Sequence, residues 1–321
     1  MKAPWVLAQV ADTGHSCCRR AGAVLALSFL LSVFIGGCGV TERVSKEARV
    51  GPCRGDYGPL FDRVSELLVS HPDLRASSVR EGLIRALGDS RDPSAYSVLV
   101  RILLDGEPLQ VGEFRGGEWH EAAHALARIG DPRALRVLQE AIAAGRLSPQ
   151  DGVRAIGALA VIGENVEALD YVVRALEGDQ DESVRRAAAR ALYAVNPKQA
   201  RATAALERAA RSDASMRVRV AAACVLIVHG DRGYWSFLKS AAADPDADVR
   251  EDVADQVPFC DEAVPLLLAL LADENRNVAG AAWEPLEKHL PTDFPSPPQT
   301  VESGRKMAEV YRKAWTESRH K

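Results

Sequence analysis

The chain has 321 residues, 47% hydrophobic, 26% charged and 6% aromatic, an ordinary soluble-globular composition rich in alanine. Lys2, Arg19 and Arg20 against Asp12 leave residues 1–37 at +2, so the net charge of −4 places −6 on the remainder. An acidic body argues against a nucleic-acid groove, which needs a basic footprint.

Arg19-Arg20 precede an uncharged apolar run, Ala21 to Ile35, which ends in Gly36-Gly37-Cys38. A basic segment, a short apolar stretch and small residues at its end have the anatomy of a secretory signal. Ile35 three residues before Cys38, with two small residues between, resembles a bacterial lipoprotein lipobox. The resemblance implies cleavage before Cys38 and lipidation of that cysteine, hence a lipid anchor in the bacterial cell envelope, on the periplasmic or extracytoplasmic face. An uncleaved anchor over Ala21–Val40, long enough to span a bilayer, is the alternative. Residues 1–37 are thus expected to be the signal and 38–57 the lipidated cysteine and a flexible tether. Beyond Cys38, only Cys53, Cys224 and Cys260 remain, with no CxxC, so neither a disulfide framework nor a zinc ribbon is expected.

From residue 58 onward, one pattern recurs about every 31–34 residues. Setting position 0 at Val79, Glu118, Asp151, Val184, Val218, Val249 and Val278 puts Leu87, Leu126, Leu159, Leu192, Leu226, Val257 and Leu286 at +8. Position +4 holds Leu83, Val253 or alanine. Positions four apart share a helix face, so 0, +4 and +8 form a buried stripe. Position +6, with Arg85, His124, Gly157, Arg190, Cys224, Asp255 and Glu284, is mostly polar and is expected to meet solvent. Position +12 holds Gly130, Gly163, Asn196, Gly230 and Asp261, with Arg91 the exception; such residues tolerate the left-handed conformation that ends a helix. Independently, Asp179, Asp213 and Asp244 each precede an arginine, Arg185, Arg219 and Arg250, by six residues. Acid and arginine can pair within a repeat or between neighbours.

The Val-Arg opening, this Asp-to-Arg ladder and the Gly-Asp-Pro turn resemble HEAT repeats, particularly the short phycobilisome-lyase type. The resemblance covers residues 58–290. It implies an all-α fold, an α-solenoid of about seven HEAT-like helix pairs, with A helices on the convex side and B helices, opening at position 0, on the concave side. A helices are predicted near 59–70, 93–104, 132–144, 165–177, 198–211, 232–242 and 262–272. Residues 105–117 stretch one spacing to 39 and read as an inserted loop. Residues 291–321 hold a Pro-rich linker and a last helix near 300–317, whose Met307, Tyr311, Ala314 and Trp315 are expected to cap the final repeat.

One motif bears on chemistry. His120-Glu121-Ala122-Ala123-His124 sets two histidines on one helix face with a glutamate between, the pattern of a zinc protease, and Glu140 is the candidate third ligand. Against it, His120, Glu121 and His124 fill slots +2, +3 and +6, which are polar in other repeats without special cause. Deoxyhypusine hydroxylases, built of HEAT-like repeats, place His-Glu pairs in this slot, but they need several and this chain has one. The phycobilisome-lyase repeat type is widespread and says little about function. The expected function is a non-catalytic, membrane-anchored scaffold for protein–protein interaction, with no cofactor and no metal. Its partner would dock on the concave polar slots: His120, His124, Arg186, Arg190, Glu251 and Asp255. The alternative is metal binding or a metal-dependent enzyme at His120, Glu121 and His124.

Overall fold

The computed structural model describes residues 77–104, 116–162, 164–197, 199–290, 294 and 296–318. Cys38, the tether, the predicted A helix at 59–70 and residues 105–115 of the insertion lie outside the described residues.

Fourteen α-helices and no strand occur among the described residues. The B helices are α1 (Ser77–Ser90), α3 (Gly116–Ile129), α5 (Pro149–Ile162), α7 (Glu182–Ala191), α9 (Met216–Val228), α11 (Ala247–Gln256) and α13 (Arg276–His289). Each opens two residues before its sequence-assigned position 0. The A helices are α2 (Tyr96–Leu104), α4 (Ala134–Ala143), α6 (Val166–Gly178), α8 (Ala200–Ser212), α10 (Trp235–Ala241) and α12 (Val264–Leu270), and α14 (Val301–Ser318) closes the chain. Short 3-10 turns at Pro93–Ala95 and Arg232–Tyr234 lead into α2 and α10. The chain forms two compact units, the first ending at Val172 and the second beginning at Val173.

In three B helices the start is set by the residue just before the first turn. Asp181, Asp246 and Asn275 sit in extended backbone and accept the N–H of Ser183, Asp248 and Asn277 at 2.8–2.9 Å. Such caps satisfy donors that a helix start leaves orphaned, and each contributes about 1 kcal/mol. From there the stripe follows: every described +4 and +8 residue is buried, from Leu87, Ala122 and Leu126 to Ala282 and Leu286. Burying one leucine contributes about 1.5–3 kcal/mol, and the alanines between let the helices close up. In the first unit α1 and α3 approach closely at Gly88, where an added Cβ would lie 2.6 Å from Ala125 Cα of α3.

The helix ends follow the +12 expectation only in part. Gly130 and Gly230 adopt φ of +78° and +102°, but so does Arg91, at +52°, while Asn196 and Asp261 do not. The reason is that two helices stop early. A 3-10 turn, Leu192–Ala194, closes α7 before Asn196, and extended Val257 ends α11 four residues before Asp261.

In the second unit α14 caps the stack. Gly304, Met307, Ala308 and Tyr311 form its buried face. Gly304 lies so close to α12 that an added Cβ would meet the Leu271 carbonyl oxygen at 2.1 Å. The Tyr311 hydroxyl donates to Glu287 of α13, and Trp315 Nε1 donates to Asp261 Oδ1 at 3.1 Å. No helix among the described residues is long and apolar enough to cross a membrane.

Candidate functional site

In the second unit the inter-helix turns carry a ladder of bidentate ion pairs. Arg185 donates to Asp213 from Nε and Nη2, at 2.8 and 2.9 Å, and from Nη1 to the Asp179 carbonyl at 2.9 Å. Arg250 repeats this with Asp273, at 2.7 and 2.9 Å, and with the Asp244 carbonyl at 2.8 Å. The acid–arginine pair therefore forms between neighbouring repeats and not within one. The guanidinium takes the backbone of its own repeat's turn and the carboxylate of the next. Each aspartate is held for this by the N–H two residues on, that of Ser215 for Asp213 and Asn275 for Asp273, at 2.8 Å. Arg219 departs from the series: it lies 5.1 Å over the Phe237 ring and donates to the Ala210 carbonyl at 3.4 Å.

The polar slots of the B helices in this unit are occupied by one another. Arg186 Nη1 of α7 donates to both Asp252 oxygens of α11, at 3.0 and 2.8 Å. Arg190 Nη1 of α7 donates to Asp255 of α11 at 3.0 Å. Both pairs pass over α9, whose residues at the same slots are small and buried: Val220, Ala221 and Cys224. Arg217 of α9 donates from Nε to Asp252 at 2.5 Å and from Nη1 to Asp248 at 3.1 Å, and Gln256 Nε2 adds a bond to Asp252 at 2.9 Å. Asp252, 5% exposed, is thus fully satisfied, as a buried carboxylate must be. Burial raises the Cys224 thiol pKa. Glu251, half-buried, has no ion pair among the described residues. Sequence spacing missed Asp252, Asp248 and Arg217. The signal available was the row Arg190, Cys224, Asp255 at one slot in three successive repeats.

In the first unit, Glu121 of α3 accepts two bonds from Arg85 of α1, at 3.2 and 2.6 Å, and Arg128 stands 3.8 Å away. The hydrogen bond from Arg85 holds the Glu121 pKa below the usual carboxylate range. A carboxylate so engaged is a weak general base. His120 Nδ1 lies 3.5 Å from Asp151 Oδ1 of α5, and the His120 and His124 rings meet edge to face, centroids 4.5 Å apart. Burial, then the charges of His120 and Arg128, lower the His124 pKa to about 4, so this ring is neutral at physiological pH. Glu140, the candidate third ligand, is exposed on α4. Among the described residues, no group of three or more His, Cys, Asp or Glu side chains is arranged to hold a metal ion. Trp119 is buried, with Arg146 5.7 Å over its ring.

Family models place the repeats independently. One described as HEAT repeats matches residues 147–227, and one described as PBS lyase HEAT-like repeat matches 120–143. No curated protein matches the chain. Among solved structures, human deoxyhypusine hydroxylase in complex with glycerol aligns over 93% of this chain and 97% of that one, at 19% identity and a TM-score of 0.30. A superposition that loose carries no argument. The recurring openings, the stacked helix pairs and the two matched repeat models together make this chain a HEAT-repeat protein.

Proposed function

We propose that the protein is a non-catalytic scaffold. It would be held to a bacterial membrane by a lipid on Cys38, in the cell envelope, with B-helix polar slots offered to a protein partner. The observation that carries this reading is the use of the polar slots. Arg186, Arg190 and Asp255 are fastened to partners within the second unit, and Glu121 is fastened to Arg85 in the first. Such pairing gives the surface a defined shape, the property a scaffold needs, and it weakens Glu121 as a general base. His120, half-buried beside Asp151, and Glu251, without an ion pair among the described residues, remain as adaptable contacts for a partner.

The partner assignment is tested by crosslinking in cells, with the wild type compared with His120→Ala and Glu251→Ala. Loss of one specific crosslinked protein in either variant supports docking at the substituted residue. If every crosslink survives both substitutions, the partner does not dock there. The anchor has its own readout. Cys38→Ser is expected to move the protein from the membrane fraction to the soluble fraction, and retention on membranes would overturn the lipid anchor.

A further inference from the structure

Three successive B helices of the second unit are joined by charges that skip the middle one. Adjacent packed helices lie about 8–10 Å apart, so α7 and α11 would stand roughly 16–20 Å apart in a flat row. One arginine and one aspartate side chain cannot bridge that distance. Yet Arg186 reaches Asp252 at 2.8 Å and Arg190 reaches Asp255 at 3.0 Å. Within this unit the three helices must therefore curve toward their B face, with α9 at the bottom of the curve. The residues of α9 beneath the bridges allow it. Val220, Ala221 and Cys224 stand where neighbouring repeats carry Arg186, Ala187 and Arg190, or Glu251, Asp252 and Asp255. A long side chain on α9 in the +2 or +6 slot would hold the flanking helices apart.

The two bridges differ in kind. At the inner one, the Asp252 side chain is 8% exposed and accepts from Arg186, Arg217 and Gln256 together. At the outer one, Arg190 and Asp255 are 42% and 48% exposed and joined by a single bond. Exposed pairs are screened by salt and contribute about 0–1 kcal/mol, whereas buried networks are screened far less.

We propose that Arg190–Asp255 is the releasable catch of a clasp that holds α7, α9 and α11 curved toward their B face, with Arg186–Asp252–Arg217 as its fixed hinge. Opening the catch loosens the curvature of the face over α9 without dismantling the repeats. A charged partner, or high salt, would be the trigger. The inference concerns the shape of this face and stands whether or not the partner reading is right.

Cys224 is a built-in reporter. It occupies the same slot on α9 as Arg190 on α7 and Asp255 on α11, and it is 3% exposed. The experiment uses the full chain and measures iodoacetamide labelling of the Cys224 peptide by mass spectrometry, with the Cys260 peptide and the circular dichroism spectrum as folding controls. Raising NaCl from about 0.1 M to about 1 M shortens the Debye length from ~10 Å to ~3 Å. Labelling of Cys224 is expected to quicken by about two- to five-fold, the population change that the loss of one exposed pair implies. Arg190→Ala should give the faster rate already at low salt and abolish its salt dependence. The charge swap Arg190→Asp with Asp255→Arg should restore slow, salt-sensitive labelling. An Arg190→Ala rate equal to the wild type, or a swap that restores nothing, would overturn the clasp.

Discussion

Arg185 and Asp213 are joined by two hydrogen bonds, at 2.8 and 2.9 Å, that tie the start of one B helix to the turn of the following repeat. The side chains are 14% and 8% exposed, so this pair works in a low-dielectric setting, unlike the surface pairs of the same chain. Repeats in a solenoid pack mainly on their neighbours, so a link of this kind contributes directly to the coupling between them.

Removing one partner should therefore be costly. Arg185→Ala leaves the Asp213 carboxylate largely buried without its cation, and breaking such a pair costs about 3 kcal/mol. Lys306→Ala, which breaks an exposed pair with Glu302 one turn away on α14, should cost about 0.5 kcal/mol or less. Urea denaturation followed by circular dichroism compares them. Equal midpoints for the two variants would refute the structural role of the rung.

Two glycines should respond in opposite directions to alanine. At Gly304 a Cβ would lie 2.1 Å from the Leu271 carbonyl oxygen, and backbone cannot yield that far cheaply. Gly304→Ala should lift α14 from α12 and expose it to limited proteolysis. At Gly280, inside α13, nothing lies within 4 Å of the added atom. There alanine removes backbone freedom from the unfolded chain and should stabilise by about 0.5–1 kcal/mol. A Gly304→Ala protein as protease-resistant as the wild type would contradict the seating of the cap.

His124 makes stability depend on pH. Its pKa is about 4 in the folded protein, against an ordinary 6.5, chiefly because the ring is buried. Below pH 6.5 the unfolded chain takes up a proton that the folded chain refuses until about pH 4. Stability at this site is full above pH 6.5 and falls as pH drops through that window, by on the order of 3 kcal/mol at most. His124→Gln should flatten this part of the profile. Denaturation midpoints measured from pH 7.5 to 4.5 that run parallel in wild type and variant would show that His124 is not the group responsible.

The 31–34-residue frame was legible because it is written in local burial. A residue at +4 or +8 is apolar since its own helix face must leave water, and that holds in every repeat. The same logic located the B-helix openings to within two residues, and in three of them the capping residues Asp181, Asp246 and Asn275 fix the start. Polar slots carry no such local signature. The sequence placed His120, Glu121 and His124 on one face but could not show that Arg85, from the repeat before, engages Glu121.

By itself, then, the sequence determined the helical repeat, its register, its buried stripe and a closing helix α14 with Met307 and Tyr311 on its buried face, all consequences of short-range periodicity, while Ala314 and Trp315 of the expected stripe are only half-buried. Only the tertiary structure decided which charges meet. Arg185 takes the carboxylate of Asp213 as well as the carbonyl of Asp179, and Arg190 crosses α9 to reach Asp255. Both choices depend on how far apart stacked helices stand and how the stack bends. Those distances come from the sum of side-chain volumes across several repeats, which no spacing within one repeat records.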